Sequence, residues 1–576
     1  MQLNLFLPKS DAHTALRRTL AALGPTWMAS PARRLIQGVC LVGFLVLLLY
    51  VCWPYGSRDY AAQMQAKELI NAEIFLALDP LLSISAALAA RAWVWSLSWA
   101  AVIILVCLVI PRGFCGYVCP LGTLIDIFDW AIGHRFKFLR LKTEGWWINL
   151  RYYILVVTLL AAAFGLLLSG FVAAIPLLTR GMVFILGPLQ LGLLRDWYLV
   201  PPMNKGHFIS IALFALVLLG GLLRQRFWCR YLCPTGAVFS VANFLRLTER
   251  KVEITCVECS RCTDFCSFGA IGPGYRTRVL NCTFCQDCGG VCPKHSISFT
   301  GRWDKVDLKS KSEDIPKDIP RSRRCFLAGM AGSVAAGIAA PALVGKSKGI
   351  PVRPPGSVAE SSFLQLCIRC GECFKACPNN VLQPIGLDRG FDAIWTPQVV
   401  ADWAGCEPTC NNCGQVCPTG AIRALPIDEK RAARMGLAIV DDHTCLPYAG
   451  RQDCRMCVDE CAAAGYNAIE FIRVGGEFDN DGAPVEGSGY LAPVVQAEKC
   501  VGCGLCQMRC HNINVKNKKL LERTAIHVEA GPGKEDRIAK GSYLALQRQR
   551  SETQGESRQP QGSDEFDNDY LPDFLK

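Results

Sequence analysis

Cysteines are the residues of this 576-residue chain whose number and spacing most clearly indicate a chemical role. There are 32 of them, and 24 fall into six groups of four. The usual spacing, CxxCxxCxxxC, lets three thiolates in a tight loop bind three iron atoms while the fourth reaches a neighbouring cluster. The groups are Cys256, Cys259, Cys262 and Cys266; Cys282, Cys285, Cys288 and Cys292; Cys367, Cys370, Cys373 and Cys377; Cys406, Cys410, Cys413 and Cys417; Cys445, Cys454, Cys457 and Cys461; and Cys500, Cys503, Cys506 and Cys510. They predict six 4Fe-4S clusters.

The pairing rule for two-cluster ferredoxins assigns the ligands of the first two groups. One cluster takes Cys256, Cys259, Cys262 and Cys292, and the other takes Cys282, Cys285, Cys288 and Cys266. For the four later groups the pairing order stays open. Two of them are irregular, because the Cys406 group has one extra residue in its first gap and the Cys445 group has a first gap of eight residues.

Disulfide bonds and zinc account less well for so many thiols. Disulfide scaffolds are usually short secreted chains, and zinc sites seldom repeat a triple-plus-one spacing six times. There is no CxxCH motif for covalent haem and no GxGxxG after a strand for NAD or a Rossmann-bound flavin. The net charge of +12 comes from basic residues beside apolar segments, which indicates membrane topology and no nucleic-acid partner.

Two further cysteine pairs stand outside these groups. Cys115 and Cys119 lie in GFCGYVCP, and Cys229 and Cys233 lie in FWCRYLCP. The i,i+4 spacing puts both thiols of a pair on one helical face, and the proline suits the start of a new helix. We expect the four to form one redox or metal site, with thiol pKa values lowered by helix N-termini and by Arg112 and Arg230. The alternative is two independent pairs.

Four apolar stretches are long enough to cross a membrane as helices: residues 35–53, 92–110, 152–178 and 206–223. A further apolar stretch, 181–203, is broken by Gly187-Pro188 and by charges, so we interpret it as interfacial or re-entrant. Basic residues before the first span and between the second and third place both of these regions in the cytoplasm. The loop 54–80 is then expected to face outward.

A fifth apolar stretch begins at Arg321-Ser322-Arg323-Arg324-Cys325-Phe326-Leu327 and ends near residue 344. It resembles a twin-arginine export signal, although a basic flank on an ordinary membrane helix is the alternative. The signal lies in mid-chain, so an even number of spans must precede it. Ala340-Pro341-Ala342 could be a cleavage site, but its proline favours retention of the helix as an anchor.

The fold class expected is therefore a multi-domain protein of the inner (cytoplasmic) membrane, with a four-helix transmembrane bundle and ferredoxin-like modules. The predicted domains are a cytoplasmic N-terminal segment (1–34), a four-span membrane domain with both CxxxCP motifs (35–250), a cytoplasmic two-cluster ferredoxin (251–300), a linker and twin-arginine helix (301–350), a periplasmic α+β polyferredoxin domain with four clusters (351–545) and a disordered tail (546–576).

From the first span to about residue 300, the spans, the CxxxCP motifs and the paired ferredoxin motifs resemble the NapH-type membrane quinol dehydrogenases. From the twin-arginine segment to about residue 530, the chain resembles the NapG and MauM family. The resemblance implies both partners of a quinol-oxidising module in one polypeptide. It would take electrons from the quinone pool and pass them to a periplasmic enzyme or cytochrome, such as nitrate reductase.

The alternative function is that of a maturation factor for a metal centre. Proteins of the RdxA and CcoG family also combine CxxxCP with two ferredoxin motifs, and the MauM resemblance suggests association with an amine dehydrogenase. A passive redox-sensing scaffold is a third possibility. Candidate acceptors of quinol protons near the outer face are Asp59, Glu73, Asp79, Asp196 and His207.

Overall fold

The computed structural model describes residues 29–51, 73–133, 135, 146–310, 323–343, 349–476 and 488–557. The chain forms two compact units. Unit 1 comprises Met1–Ile350, Val358–Gln398 and Asn412–Ala424, and unit 2 comprises Pro351–Ser357, Val399–Asn411 and Leu425–Lys576. The domain predicted for 351–545 does not follow this division, because residues 358–398 and 412–424 pack with the apolar helices.

Unit 1 is mostly helical. Its α-helices are α1 (Pro31–Val51), α2 (Ile74–Ala77), α3 (Pro80–Ala90), α4 (Ser96–Val109), α5 (Pro120–Phe128), α6 (Leu150–Ala163), α7 (Ser169–Val172), α8 (Ala174–Leu194), α9 (Lys205–Leu223), α10 (Pro234–Ala242), α11 (Arg261–Phe265), α12 (Asp287–Gly290), α13 (Arg323–Leu343), α14 (Glu360–Leu366), α15 (Glu372–Ala376) and α16 (Asn412–Gln415). Three π-helices interrupt the series at Phe114–Val118, Asp129–Gly133 and Trp228–Leu232.

Two small sheets complete unit 1. β1 (Thr248–Glu253) pairs antiparallel with β2 (Ile297–Gly301) and β3 (Leu308–Ser310), and β4 (Leu382–Pro384) pairs with β5 (Pro397–Val399). We call residues 248–310 the first ferredoxin segment. Residues 358–398 together with 412–424 form the second ferredoxin segment.

Three helices of the described residues are long and apolar enough to cross a membrane: α1, α8 and α9. The predicted spans 35–53 and 206–223 correspond to α1 and α9. The predicted spans 92–110 and 152–178 form shorter helices, since α4 and α6 have 14 residues each. Pro111 follows the end of α4, and Gly165, with a φ of +87°, follows the end of α6.

Helix α9 connects the two ferredoxin segments. At its start, Asn204 Nδ2 donates to the Pro384 carbonyl (2.7 Å), and Trp395 Nε1 donates to the Gly206 carbonyl (2.8 Å). Just beyond its other end, the guanidinium of Arg226 stacks 4.3 Å from the centre of the Phe268 ring in the first segment. Helix α9 has 19 residues that rise about 1.5 Å each, so the contacts with the two ferredoxin segments are about 28 Å apart.

Helix α8 runs along the second segment. Arg180 Nη1 donates to the Arg369 carbonyl (2.9 Å), and ten residues later Gln190 Oε1 accepts from Lys375 Nζ (2.9 Å). Just before α8, Gly170 lies against the Ile368 carbonyl oxygen, with no room for a Cβ. Because these contacts are spread over ten residues of α8, the helix must run alongside the second segment. The interpretation of 181–203 as an interfacial or re-entrant stretch stays a prediction, since α8 is a continuous helix of 21 residues and is apolar enough to span a membrane.

Helix α13, which carries the arginine pair at its N-terminus, packs against α6 in the same direction. Gly329 lies against Tyr153, and Gly337 lies against Leu160. The start of α6 contacts the first segment, since Arg151 Nη2 donates to Asn281 Oδ1 (2.7 Å). Helix α13 therefore begins at the end of the helices that carries the first segment and ends towards the second.

Unit 2 is a small α+β unit. It contains α17 (Ile427–Ala432), β6 (Leu437–Val440), α18 (Met456–Ala463), β7 (Ile469–Val474), β8 (Tyr490–Val495), α19 (Leu505–Cys510), β9 (Ile526–Glu529) and α20 (Tyr543–Ser557). β6 pairs antiparallel with β9, and β7 pairs antiparallel with β8.

The predicted disordered tail, 546–576, is corrected in its first part, because α20 continues to residue 557. Tyr543 is buried, and its backbone N–H donates to Glu429 Oε2 (2.6 Å). Arg550 also forms an ion pair with Asp536. These contacts anchor a helix that composition alone does not favour. Residues 558–576 lie outside the described residues.

A buried carboxylate joins α5 to α1 and to the segment after α9. Arg226, fully buried, donates to both oxygens of Asp126 (2.6 and 2.7 Å), and Arg34 donates to the same carboxylate (2.6 Å). Arg33 contributes a longer contact of 3.4 Å. Burial alone would raise the pKa of Asp126, but the three guanidinium groups outweigh it and hold that pKa well below its usual range.

Asp126→Asn should destabilise the protein by about 3–5 kcal/mol, because three buried or half-buried cations lose their shared counter-charge. The measurement is the midpoint of thermal unfolding of the full chain in detergent. Asp428→Asn is the matched control, since Asp428 is exposed. An equal midpoint for the two variants would show that the helices do not depend on this carboxylate.

Candidate iron-sulfur and thiol sites

In the first ferredoxin segment the structure brings together the predicted ligands of one cluster. Three cysteines of the Cys256 group and the last cysteine of the next group line a single cavity: Cys256, Cys259, Cys262 and Cys292. β1 and the start of β2 form its walls. These four cysteines are the set that the spacing predicts for one cluster.

The other four thiols of this segment also lie together. Burial raises the pKa of Cys285 to about 12, and Cys266 is among the neighbours that raise it further. Burial likewise raises the pKa values of Cys282 and Cys288, and both interact with Cys266. Thiols in so apolar a site resist ionisation on their own, so a bound cation is needed to hold them as thiolates.

The second ferredoxin segment repeats the exchange. Cys367, Cys370, Cys373 and Cys417 line one cavity, whose remaining walls include Phe363 and Trp395. The backbone N–H of Ile422 donates to Cys417 Sγ (3.5 Å). The other four cysteines of this pair of groups are distributed over the two units: Cys377 and Cys413 belong to unit 1, and Cys406 and Cys410 belong to unit 2.

Unit 2 resolves the pairing that the sequence left open for its two groups. Cys445, Cys454, Cys457 and Cys510 line one cavity. Burial raises the pKa of Cys506 well above its usual value, and Cys503, Cys500 and Cys461 are among the thiols that raise it further. The stretched gap of the Cys445 group therefore does not prevent exchange of the fourth ligand.

Four of the six groups share a backbone signature that the spacing of the cysteines did not indicate. In each, the residues two and four positions after the first cysteine have positive φ: Glu258 and Ser260, Phe284 and Gln286, Arg369 and Gly371, and Gly502 and Gly504. Alternating left-handed residues coil the chain tightly enough to direct three thiols at one point. Non-glycine residues carry a conformational cost there, which binding must offset. The irregular Cys406 and Cys445 groups lack this pattern at those positions.

The cavities fit 4Fe-4S clusters by their donor sets. Each provides four thiols inside a mainly apolar shell, and backbone N–H groups donate to Cys266 (3.2 Å) and Cys461 (3.3 Å) as they commonly do to cluster thiolates. Within the described residues, no three His, Cys, Asp or Glu side chains are close enough together to surround one metal ion. Cluster ligands bind separate iron atoms and stand further apart.

The two CxxxCP motifs adopt the same local structure. Each runs through a π-helix, Phe114–Val118 or Trp228–Leu232, and its second cysteine then leads into a helix that begins with proline. Cys119 and Cys233 have nearly equal backbone angles, with φ of −60° and −65° and ψ of 112° and 111°. The predicted start of a new helix at each proline is confirmed. The residues between the two cysteines of each motif form a π-helix and not the regular α-helix that we expected.

The four CxxxCP thiols interact with one another. Cys229 and Cys115 are close enough to raise the pKa of Cys119, and the other three thiols all raise the pKa of Cys233. The expected lowering of their pKa values is wrong: burial raises the pKa of Cys229 to about 11 and raises those of the other three. For these thiols, burial raises the pKa by more than the nearby arginines and helix N-termini lower it.

The arginines of this site differ from those expected. Arg112 is close, but the second is Arg226 rather than Arg230. Both lie three positions before the first cysteine of a motif, both are almost fully buried and both have positive φ (49° and 51°). Each reaches the other half, since Gly122 lies beside the Arg226 guanidinium and Gly236 beside that of Arg112. The signal in the sequence was a longer repeat, RxxCxxxCPxG.

The first ferredoxin segment packs directly on this site. Arg112 Nη1 donates to the Leu280 carbonyl (3.2 Å), Tyr117 donates its hydroxyl to the Phe284 carbonyl (2.7 Å), and Arg33 forms an ion pair with Asp287. The CxxxCP thiols and one set of ferredoxin thiols are therefore neighbours at one end of the helices.

The candidate proton acceptors are dispersed. Asp79 is buried and accepts from Thr235 Oγ1 (3.0 Å), which places it near the CxxxCP site and not at the outer face as expected. Glu73 is buried and Asp196 is exposed, and Asp59 lies outside the described residues. His207 alone among them lines a cleft, together with Lys375 and Cys377.

Family comparisons support these assignments. A 4Fe-4S binding domain family matches residues 92–138 and again 206–253, so each match contains one CxxxCP motif. A 4Fe-4S dicluster domain family matches residues 366–421 in the second ferredoxin segment. No solved structure matches the chain.

Curated relatives point to one family. The ferredoxin-type protein NapG of Escherichia coli (strain K12) is 35% identical over 186 residues, which cover 32% of this chain and 72% of the relative. NapG of Haemophilus influenzae is 32% identical over 221 residues, covering 36% and 74%. The methylamine utilization ferredoxin-type protein MauM of Methylorubrum extorquens is 34% identical over 170 residues, covering 29% and 70%.

These relatives are matched over most of their length, and the thiol-lined cavities supply the ligands that 4Fe-4S clusters require. The chain is an iron-sulfur electron-transfer protein, and it belongs to the NapG and MauM family of ferredoxin-type proteins.

Proposed function

We propose that this protein oxidises membrane quinol and passes the electrons to a redox enzyme or cytochrome in the periplasm. The observation that carries the proposal is that thiol-lined sites lie at both ends of the same apolar helices, with about 28 Å of helix between them. Bound 4Fe-4S clusters supply one-electron transfer, and the chain's residues hold and insulate them.

The ligands proposed for six clusters are the 24 cysteines of the six groups. Five of these ligand sets lie within one unit each. For the remaining four cysteines, Cys377, Cys406, Cys410 and Cys413, the pairing stays open.

The proposed topology places the first ferredoxin segment in the cytoplasm and the later groups in the periplasm. Helix α13 runs parallel to α6 from the first segment's end, as a helix must if it carries the chain across after the arginine pair. Export of a domain already loaded with clusters suits the twin-arginine route, since thiols stay reduced where the clusters are assembled.

A periplasmic nitrate reductase is the acceptor that the NapG resemblance favours. The competing function is redox maturation of a metal centre, which the MauM relatives and the CxxxCP motifs favour. Reduction of the clusters by quinol in membranes, followed by their oxidation by added nitrate reductase, would support the first function. Quinol reduction without transfer to any such enzyme would favour the second.

Anaerobically purified protein should contain roughly 24 iron atoms per chain if six sites each hold a full cluster. Cys367→Ser should lower that number by about four, because one cavity loses a ligand. Cys40→Ser in α1 is the matched control and should leave it unchanged. Stoichiometric zinc with little iron would contradict the assignment.

Replacing Arg323 and Arg324 together with Lys should keep the region after residue 351 in the cytoplasm, because the export signal depends on the arginine pair. The measurement is protease accessibility of a C-terminal epitope in spheroplasts. Arg302→Lys is a matched control outside the signal. A double variant whose epitope is still exposed, with full cluster content, would show that this helix crosses the membrane by another route.

Cys115→Ser and Cys229→Ser should each slow electron transfer to the clusters of the first ferredoxin segment by the same amount, on the order of tenfold or more, because the four thiols act as one site. The double variant should lose little more. Cys107→Ser changes a buried thiol outside the motif and controls for packing. Fully additive losses would indicate two independent pairs.

A further inference from the structure

A cleft opens in unit 1 at the start of α9, between α8 and the stretch of the second segment formed by α15 and the residues after it. Its walls are largely apolar, with Val183, Phe184 and Leu191 on α8. The Phe184 ring lies 4.5 Å from that of His207, centre to centre. Small-molecule sites are typically apolar clefts with a few well-placed polar groups.

His207 presents a hydrogen-bond donor to this cleft. Its Nδ1 accepts the backbone N–H of Asn204 at 3.1 Å, as part of the cap of α9. Nδ1 also lies 3.0 Å from Asn204 Oδ1, so the cap accommodates either tautomer of the ring. In the tautomer whose Nδ1 accepts from the backbone, Nε2 carries the proton and can donate to an oxygen atom of a ligand.

Gln383 supplies a second donor. Its side chain is only 7% exposed, lines the cleft, and has an amide nitrogen with no hydrogen-bond partner among the described residues. A buried amide without a partner is costly, so such a group indicates a ligand that completes it. Lys375 adds a further donor on the same side, where its Nζ also donates to Gln190.

The composition of the lining limits what can bind. No aspartate or glutamate of the described residues lines the cleft. The ligand must therefore offer oxygen acceptors to several donors and an apolar body to the aromatic and aliphatic walls. A free phosphate satisfies only the first condition, whereas a substituted aromatic ring with oxygens on opposite edges satisfies both.

The surroundings indicate how the ligand arrives. Trp197 and Tyr198, just past the end of α8, are 59% and 75% exposed, and Phe208 on α9 is 59% exposed. Tryptophan and tyrosine concentrate where a membrane meets water. These exposed aromatic residues indicate that the cleft opens where a membrane would meet water. A lipid-soluble molecule with a polar ring places that ring at the same boundary.

From these observations, and resting on the proposed function, we infer that this cleft binds the ring of a membrane quinol, with His207 Nε2–H and the Gln383 amide donating to its oxygens. The quinol releases two electrons and two protons and becomes the quinone. A bound 4Fe-4S cluster would supply the one-electron acceptor, with Cys377 at the cleft wall among the residues that would hold it, and the two protons would pass to water.

Gln383→Leu is the sharpest test, because that amide nitrogen has no protein partner to lose among the described residues. In anaerobic membranes, the KM for 2,3-dimethyl-1,4-naphthoquinol should rise about tenfold, the effect of one lost hydrogen bond to a buried ligand. The cluster absorption spectrum and the extent of reduction by dithionite should not change. His207→Leu should act similarly, whereas Phe208→Leu, on the exposed face of the same helix, should not.

A binding experiment separates the site from the function. A photoreactive azidonaphthoquinone should label peptides from α8 or from residues 374–384 of the wild-type protein and should label them weakly in Gln383→Leu. If quinol fails to reduce the wild-type clusters while this labelling occurs, the proposed function fails and the site stands. Labelling elsewhere, labelling displaced by phosphatidylglycerol vesicles but not by naphthoquinone, or an unchanged KM in both variants would each overturn the site.

Discussion

The carboxylate of Asp126 is the contact on which the arrangement of the helices depends. Burying a guanidinium group is costly unless a charge or several carbonyls compensate it. Arg226 is fully buried and places three of its nitrogens on Asp126 and on the Cys115 and Gly122 carbonyls, at 2.6 to 3.3 Å. Arg226, which precedes the second CxxxCP motif, is thereby bound to the first motif. The two motifs cannot separate without leaving the charge of Arg226 or Asp126 unpaired.

The two halves are alike but not equivalent, and the difference explains where the first ferredoxin segment packs. Arg112 occupies in the first half the place that Arg226 occupies in the second. The residue seven positions after Cys119 is Asp126, whereas Ser240 stands seven positions after Cys233. Arg112 therefore has no corresponding carboxylate at that position, and its Nη1 instead faces the Leu280 and Asn281 carbonyls (3.2 and 3.4 Å). Breaking the symmetry at one residue leaves one arginine available to hold the ferredoxin loop.

The cysteine spacing predicted a ligand set for each of the first two groups, because a cluster imposes local geometry that short sequence intervals must meet. One of these sets, with Cys292 as its fourth member, lines a single cavity, whereas the place of Cys417 beside the Cys367 group was not predicted. What spacing could not supply was burial. The pKa of Cys229 rises despite the adjacent Arg226, because the depth of a site depends on helices distant in sequence. Likewise, hydropathy identified the apolar stretches but not the end of α6 near Gly165 or the length of α8, which its contacts with the second segment determine.

The position of the His207 cleft bears on how electrons need to travel. The cleft and the second segment lie at the same end of α9, while the CxxxCP thiols lie at the other, about 28 Å away. A quinol oxidised in the cleft would thus be next to the Cys377 thiolate and would need no electron carrier across the helices. The CxxxCP thiols and the first ferredoxin segment form their own contiguous group, held together by Arg112, Tyr117 and Arg33. Because distance separates the two groups and packing unites each one, the chain holds two separate sets of thiols for electron transfer, one at each end of α9.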